Sequence, residues 1–80
     1  MARQPLTKRV GRVLREMRIE RGISVVDLAA QLDRAKGSVS KLETGNIGIR
    51  LEVLEDICNL LQITPGEVML RADRLAEGDE

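Results

Sequence analysis

The sequence predicts a small all-α fold, and three observations predict it. Apolar residues recur at helical spacing in successive stretches, and no stretch shows strand-like alternation. Glycines, Ser/Thr caps and a Thr-Pro-Gly-Glu cluster punctuate those stretches where helices would start and stop. None of the 80 residues is aromatic, so the core must be built from Leu, Ile, Val, Met and Ala. At this length burial is limited, which favours one compact domain that gains from association.

The elements follow in order. Residues 1–6 read as a loose N-terminal arm with Pro5, and Thr7 is the expected N-cap of the first helix. Val10, Val13, Leu14 and Met17 then fall at i, i+3, i+4 and i+7, one apolar stripe of an amphipathic helix. Gly22 is its natural stop. Ile23 plugs into the core, and Ser24 caps a second helix over about Val25 to Leu32. Asp33-Arg34-Ala35 makes a tight turn into a third helix, from about Lys36 to Thr44, which Gly45 ends. Residues 46–50 form a loop. A fourth helix, near Leu51 to Leu61, carries Leu51, Leu54, Ile57, Cys58 and Leu61 on one face. Thr64-Pro65-Gly66-Glu67 reads as a capping box with proline at the first helical position. A fifth helix follows through Val68, Met69 and Ala72 to about Ala76. The domain therefore spans 7–76, and the acidic tail 77–80 should fray.

The stretch Ser24–Gly45 is the most informative. Two short helices joined by a tight turn form a helix-turn-helix, which presents its second helix to the DNA major groove. The charge distribution agrees. The formal net charge is zero, but residues 1–51 carry eleven Lys/Arg against five acids, a net +6, and residues 52–80 carry a net −6. A basic half of this kind suits a polyanionic partner. The lack of aromatics argues against recognition of single strands by base stacking.

The blocks LREMRIERGIS, DLAAQL, SVSKLETG and LEVLEDICNLLQITPGEV, in this order and spacing, resemble the Cro/phage-repressor (Xre-type) helix-turn-helix family across roughly residues 8 to 70. The resemblance implies a compact five-helix, lambda-repressor-like domain with the motif at helices 2 and 3. It implies that Arg18 of the first helix pairs with Glu43 at the end of the recognition helix. That pairing also makes physical sense, because a carboxylate at a helix C-terminus opposes the helix dipole. Ala29 is placed at the crossing of helices 2 and 3. Four positions depart from the family pattern. Val25 stands where the family has Gln, Asp33 replaces the turn Gly, Arg34 replaces an aliphatic residue, and Ala35 replaces the Ser/Thr cap. The phosphate contacts should therefore differ from the usual set.

Side chains at the start and outer face of the recognition helix read base edges. Here those are Lys36, Gly37, Ser38 and Lys41, with the two lysines able to donate to guanine. The phosphate-contact candidates are Ser24, Arg34, Ser40, Asn46 and Arg50; the resemblance implies the last two. Arg3, Lys8 and Arg9 could form an arm reaching the DNA, but the arginines of the first helix spread around it, which favours several of them being simply solvated.

One domain reads few base pairs, so the expected unit is a homodimer on a palindromic, inverted-repeat operator. Leu60, Ile63, Val68, Met69 and Leu70, with Leu75, are the expected dimer interface. The function that follows is a double-stranded-DNA-binding transcriptional regulator, a repressor or autoregulator. The alternatives are an antitoxin that sequesters a toxin, or a protein-interaction adaptor on the same fold. An enzyme is not expected. The chain has no His, no metal-ligand cluster, no glycine-rich phosphate loop and no sign of a cofactor, and Cys58 sits on an apolar face. No stretch is long enough to span a membrane. A lone cysteine fits a cytoplasmic location.

Overall fold

The computed structural model describes residues 4–78. Pro5 opens α1 (Leu6–Glu20) from an extended backbone, φ −55° and ψ 149°. The Pro5 carbonyl accepts from the amides of Lys8 and Arg9 at 3.0 and 3.1 Å. Thr7 therefore lies inside the helix and is not its cap: the ring of Pro5 already fixes the entry geometry two residues earlier. Four further helices follow: α2 (Val25–Gln31), α3 (Lys36–Thr44), α4 (Leu51–Leu61) and α5 (Pro65–Gly78). Helix α5 thus continues past Ala76, into the stretch expected to fray. Residues 1–3 of the expected arm and 79–80 of the expected tail lie outside the described residues.

Helices α1 to α4 close in one way. The amide after a left-handed residue bonds back to the carbonyl five residues earlier, which satisfies the last free carbonyls. Ile23 donates to Arg18, Arg34 to Ala29, Asn46 to Lys41 and Ile63 to Cys58, at 2.9–3.2 Å. The left-handed residues are Gly22, Asp33, Gly45 and Gln62. Asp33 is among the few residue types that enter this conformation readily. Gln62 is not, and no local signal marks it. Its turn is held from outside, because Arg21 Nε donates to the Leu61 carbonyl at 2.6 Å.

Two starts are capped as expected. Ser24 Oγ accepts from the Asp27 amide at 3.0 Å, and Thr64 Oγ1 from the Glu67 amide at 3.1 Å. Helices α3 and α4 start at Ala35 and Arg50 with no side-chain cap.

The core is one cluster drawn from all five helices. Val10, Val13, Leu14 and Met17 supply the stripe of α1, and Leu28, Ala29, Val39 and Leu42 supply the helix-turn-helix. Helix α4 turns Val53, Leu54, Ile57, Cys58 and Leu61 inward. Leu51, expected on that face, is 76% exposed although Val53 and Leu54 of the same turn are buried, because it is the first residue of α4 and no neighbouring element covers it. Two residues expected at a dimer interface are core as well. Val68 is fully buried and Ile63 only 9% exposed, because they flank the α4–α5 turn and close the bundle over it. Leu60, Met69 and Leu75 are half-buried against the same cluster, and Leu70 stands exposed. Arg9, read from sequence as an arm or a solvated residue, instead ties α1 to α5. It donates to the Ala72 carbonyl at 3.0 Å and lies 3.9 Å from Asp73.

Helix α1 also holds α3. A Cβ on Gly11 would come within 2.6 Å of the Glu43 carbonyl oxygen, so the two backbones touch. Beyond it, Gly45 has φ +76°, and a Cβ there would meet the Lys8 Cα at 2.6 Å. Two turns beyond Gly11 on α1, Arg18 grips Glu43 with both prongs, Nε to Oε2 at 2.7 Å and Nη2 to Oε1 at 3.0 Å. Its third donor reaches the Ile23 carbonyl at 2.8 Å. Both side chains are about nine-tenths buried. The hydrogen bonds to Glu43 raise the Arg18 pKa above its ordinary value, outweighing the opposing effect of burial, so the guanidinium stays charged.

Two sets of variants test this bracing by urea denaturation. Gly11→Ala is expected to cost about 1–3 kcal/mol through forced separation of α1 and α3. Gly37→Ala, with open space around the site, is expected to be neutral or stabilising by up to about 0.5 kcal/mol. Arg18→Ala strands a buried carboxylate and is expected to cost about 3–5 kcal/mol, while Arg18→Met with Glu43→Leu recovers most of that. Similar stabilities for Gly11→Ala and Gly37→Ala would contradict the close approach.

Candidate nucleic-acid interface

The recognition helix has one buried side and one open side. Val39 and Leu42 point into the core and Glu43 into its pair with Arg18, which fixes the rotation of α3 about its axis. That rotation leaves Lys36, Gly37 and Lys41 exposed, with Ser38 and Ser40 half-exposed beside them. The uncapped start of α3 adds free backbone amides. Ser38 and Val39 donate to the Ala35 carbonyl, while those of Lys36 and Gly37 precede the first helical bond. A helix start of this kind favours an anion.

The turn before α3 and the loop after it come together on this open side. Arg34, Ser38, Ile47, Gly48 and Arg50 line a common cleft, floored by Leu42 and Val53. The departure at position 34 explains part of it. The left-handed Asp33 turns the chain so that Arg34 is exposed at the rim, opposite Arg50. Among the described residues, Arg34, Lys36, Lys41 and Arg50 form no hydrogen bond or ion pair through their side chains. Most other arginines do: Arg9, Arg18, Arg21 and Arg71 all hold partners elsewhere.

The structure therefore gathers Arg34, Ser38 and Arg50 at one cleft and sets Lys36 and Lys41 on the neighbouring helix face. Ser24 and Asn46 are exposed but do not line the cleft, and Ser24 Oγ already caps α2. Ser40 presents its carbonyl to the Thr44 hydroxyl at 3.1 Å. Two residues that shape the site escape a local reading. Gly11 is marked only by being a glycine inside an apolar helical stripe, which already suggests a close approach. Ile47 belongs to the cleft through loop geometry that no periodicity reveals.

Among the described residues, no three His, Cys, Asp or Glu side chains group to hold a metal ion. Cys58 is buried, and desolvation, then the charge of Glu67, push its thiol pKa up, which disfavours the reactive thiolate. No described helix is long and apolar enough to cross a membrane.

Comparison with known proteins agrees with this geometry. The clp gene regulator ClgR from Corynebacterium glutamicum is 25% identical. The match covers 94% of this chain and 96% of that one, with a TM-score of 0.89. The restriction-modification controller protein C.AhdI from Aeromonas hydrophila is 28% identical, covering 79% of this chain and 94% of that one, with a TM-score of 0.72. The controller C.Esp1396I, solved as a tetramer in complex with its natural 35 base-pair operator, is 21% identical. It covers 89% of this chain and 93% of that one at a TM-score of 0.76, a likeness of fold. A search of the curated proteins finds no match. The family model for the Cro/C1-type HTH DNA-binding domain matches residues 13–72. With that match over most of its length, the chain belongs to the family of Cro/C1-type helix-turn-helix DNA-binding domains and has the fold of their transcriptional regulators.

Proposed function

We propose that the chain is a sequence-specific regulator, a repressor or autoregulator, that binds an inverted-repeat operator in double-stranded DNA as a homodimer. The observation that carries this reading is the set of unpartnered cations around the open start of α3. Isolated cations that make no internal bond are available to phosphates and base edges, and phosphate neutralisation supplies much of the affinity of such proteins.

The roles divide by position. Lys36 and Lys41, with Ser38 and the bare backbone at Gly37, face base edges from the recognition helix. Arg34 and Arg50 seat one phosphate from the two rims of their cleft, where it also meets the free amides of the helix start. Ser24, Ser40 and Asn46 contact the flanking backbone. Two domains on one DNA face place their recognition helices about 34 Å apart, one helical turn. The operator complex of the controller tetramer supports an assembly of more than one domain on DNA.

Selection of duplexes from a random library, followed by titration at two salt concentrations, tests the assignment. Lys41→Ala should weaken binding to the selected duplex about tenfold to a hundredfold and binding to random DNA far less. Arg50→Ala should weaken both and reduce the salt slope by about 1. Because Arg34 and Arg50 share a phosphate, the double variant should lose less than the two single losses combined. Equal losses on selected and random DNA for Lys41→Ala would remove it from base readout.

A further inference from the structure

Two isoleucines stand in the loop between α3 and α4, and they are placed differently. Ile49 is half-buried against the core. Ile47 is 41% exposed, although its loop is fixed at both ends. The Asn46 amide donates to the Lys41 carbonyl at 3.0 Å, and the Arg50 carbonyl accepts from the Leu54 amide at 2.9 Å. Ile47 lines the cleft of Arg34 and Arg50, with Gly48 beside it, over the nearly buried side chains of Leu42 and Val53. The cleft is therefore amphipathic, cationic at its two rims and apolar on its wall and floor. From α3 it is lined by Ser38 and Leu42, while Lys36 and Lys41 stand on the neighbouring face of that helix.

We propose that Ile47 packs on the sugar of the nucleotide whose phosphate Arg34 and Arg50 hold, and that it selects deoxyribose over ribose there. This rests on the DNA-binding reading above and names a specificity residue of the same site. Two cations beside an apolar wall suit a phosphate ester whose attached group is itself apolar at its edge. The carbon edge of a deoxyribose is such a group. Base edges fall to the lysine face of α3, so the backbone sugar is what the flanking cleft meets. Covering Ile47 in the complex also removes apolar surface from water, which favours binding. A ribose differs by the hydroxyl on C2′, the group that lets a protein tell RNA from DNA at a given site. Against Ile47 that hydroxyl would leave water and find no partner, which costs affinity. Arg34 and Arg50 thus hold the backbone, and the side chain between them inspects its chemistry.

Titration of the whole chain with the selected duplex, carrying one ribonucleotide moved through each position in turn, tests the assignment. A single ribonucleotide leaves the rest of the duplex as DNA. The wild type should lose affinity at least about fivefold at the contacted nucleotide. A 2′-fluoro nucleotide at that position, which alters the sugar pucker without adding a hydroxyl, should bind like the deoxynucleotide. Ile47 is exposed, so I47T and I47A should fold as wild type, which circular dichroism checks. I47T offers a hydroxyl to the ribose and should bind the two duplexes within about twofold of each other. I47A should bind the all-deoxy duplex more weakly than wild type and discriminate less. Wild-type indifference to the ribonucleotide at every position overturns the sugar contact. So does an equal loss with the 2′-fluoro nucleotide, undiminished discrimination in I47T, or an Ile47-dependent loss on exchanging thymine for uracil, which would place the side chain on a base. Each of these leaves the DNA-binding reading standing. A wild-type chain that selects no duplex overturns both.

Discussion

The buried pair between Arg18 and Glu43 joins the middle of α1 to the last turn of α3, and the orientation of the recognition helix depends on it. A carboxylate at a helix C-terminus opposes the local dipole and is costly to bury. It is tolerated here because both oxygens accept from one guanidinium. That grip works only at short range, and Gly11 provides the range by letting the α1 backbone meet the carbonyls of Leu42 and Glu43. Gly45 extends the contact to Lys8. Charge pairing, close backbone approach and chain reversal thus act on the same turn of α3.

This arrangement gives the recognition helix two unlike ends. Its C-terminal end is braced, buried and closed by the Asn46 amide. Its N-terminal end has no side-chain cap and is ringed by cations without partners. A preformed helix presented from a fixed base loses little conformational freedom on binding. The structure also spends most of its other arginines on internal ties, Arg9 to α5 and Arg21 to the end of α4. The basic half of the sequence is therefore partly scaffold, and Arg34, Lys36, Lys41 and Arg50, which are left over, are the cations proposed to face DNA.

The fold was legible because its signals are local. Ser24 caps α2, Thr64 caps α5, and Gly22 and Gly45 sit at left-handed helix ends where glycine belongs. Asp33 was legible as a left-handed turn residue for the same reason. What was not legible depends on tertiary context. Leu51 keeps the helical spacing of a core residue, but it is the first residue of α4 and stays exposed while Val53 and Leu54 of the same turn are buried. Ile63 and Val68 look like surplus apolar residues until the α4–α5 turn folds over the bundle. Gln62 adopts its conformation because Arg21 bonds the neighbouring carbonyl, a contact across forty residues of chain. The site was legible as a set of candidates. Which of them meet at one cleft, Arg34, Ser38 and Arg50, depended on loop geometry.

In the proposed complex a helix braced from α1 meets DNA with its open N-terminal side. Titration of the isotopically labelled chain with a selected duplex, followed amide by amide in NMR spectra, tests it most directly. The largest shifts are expected at Ser24–Asp27, Lys36–Lys41 and Asn46–Leu51, with the amides of α5 around Arg71 and Arg74 unmoved. Shifts centred on α5, with Lys36 to Lys41 unaffected, would contradict it.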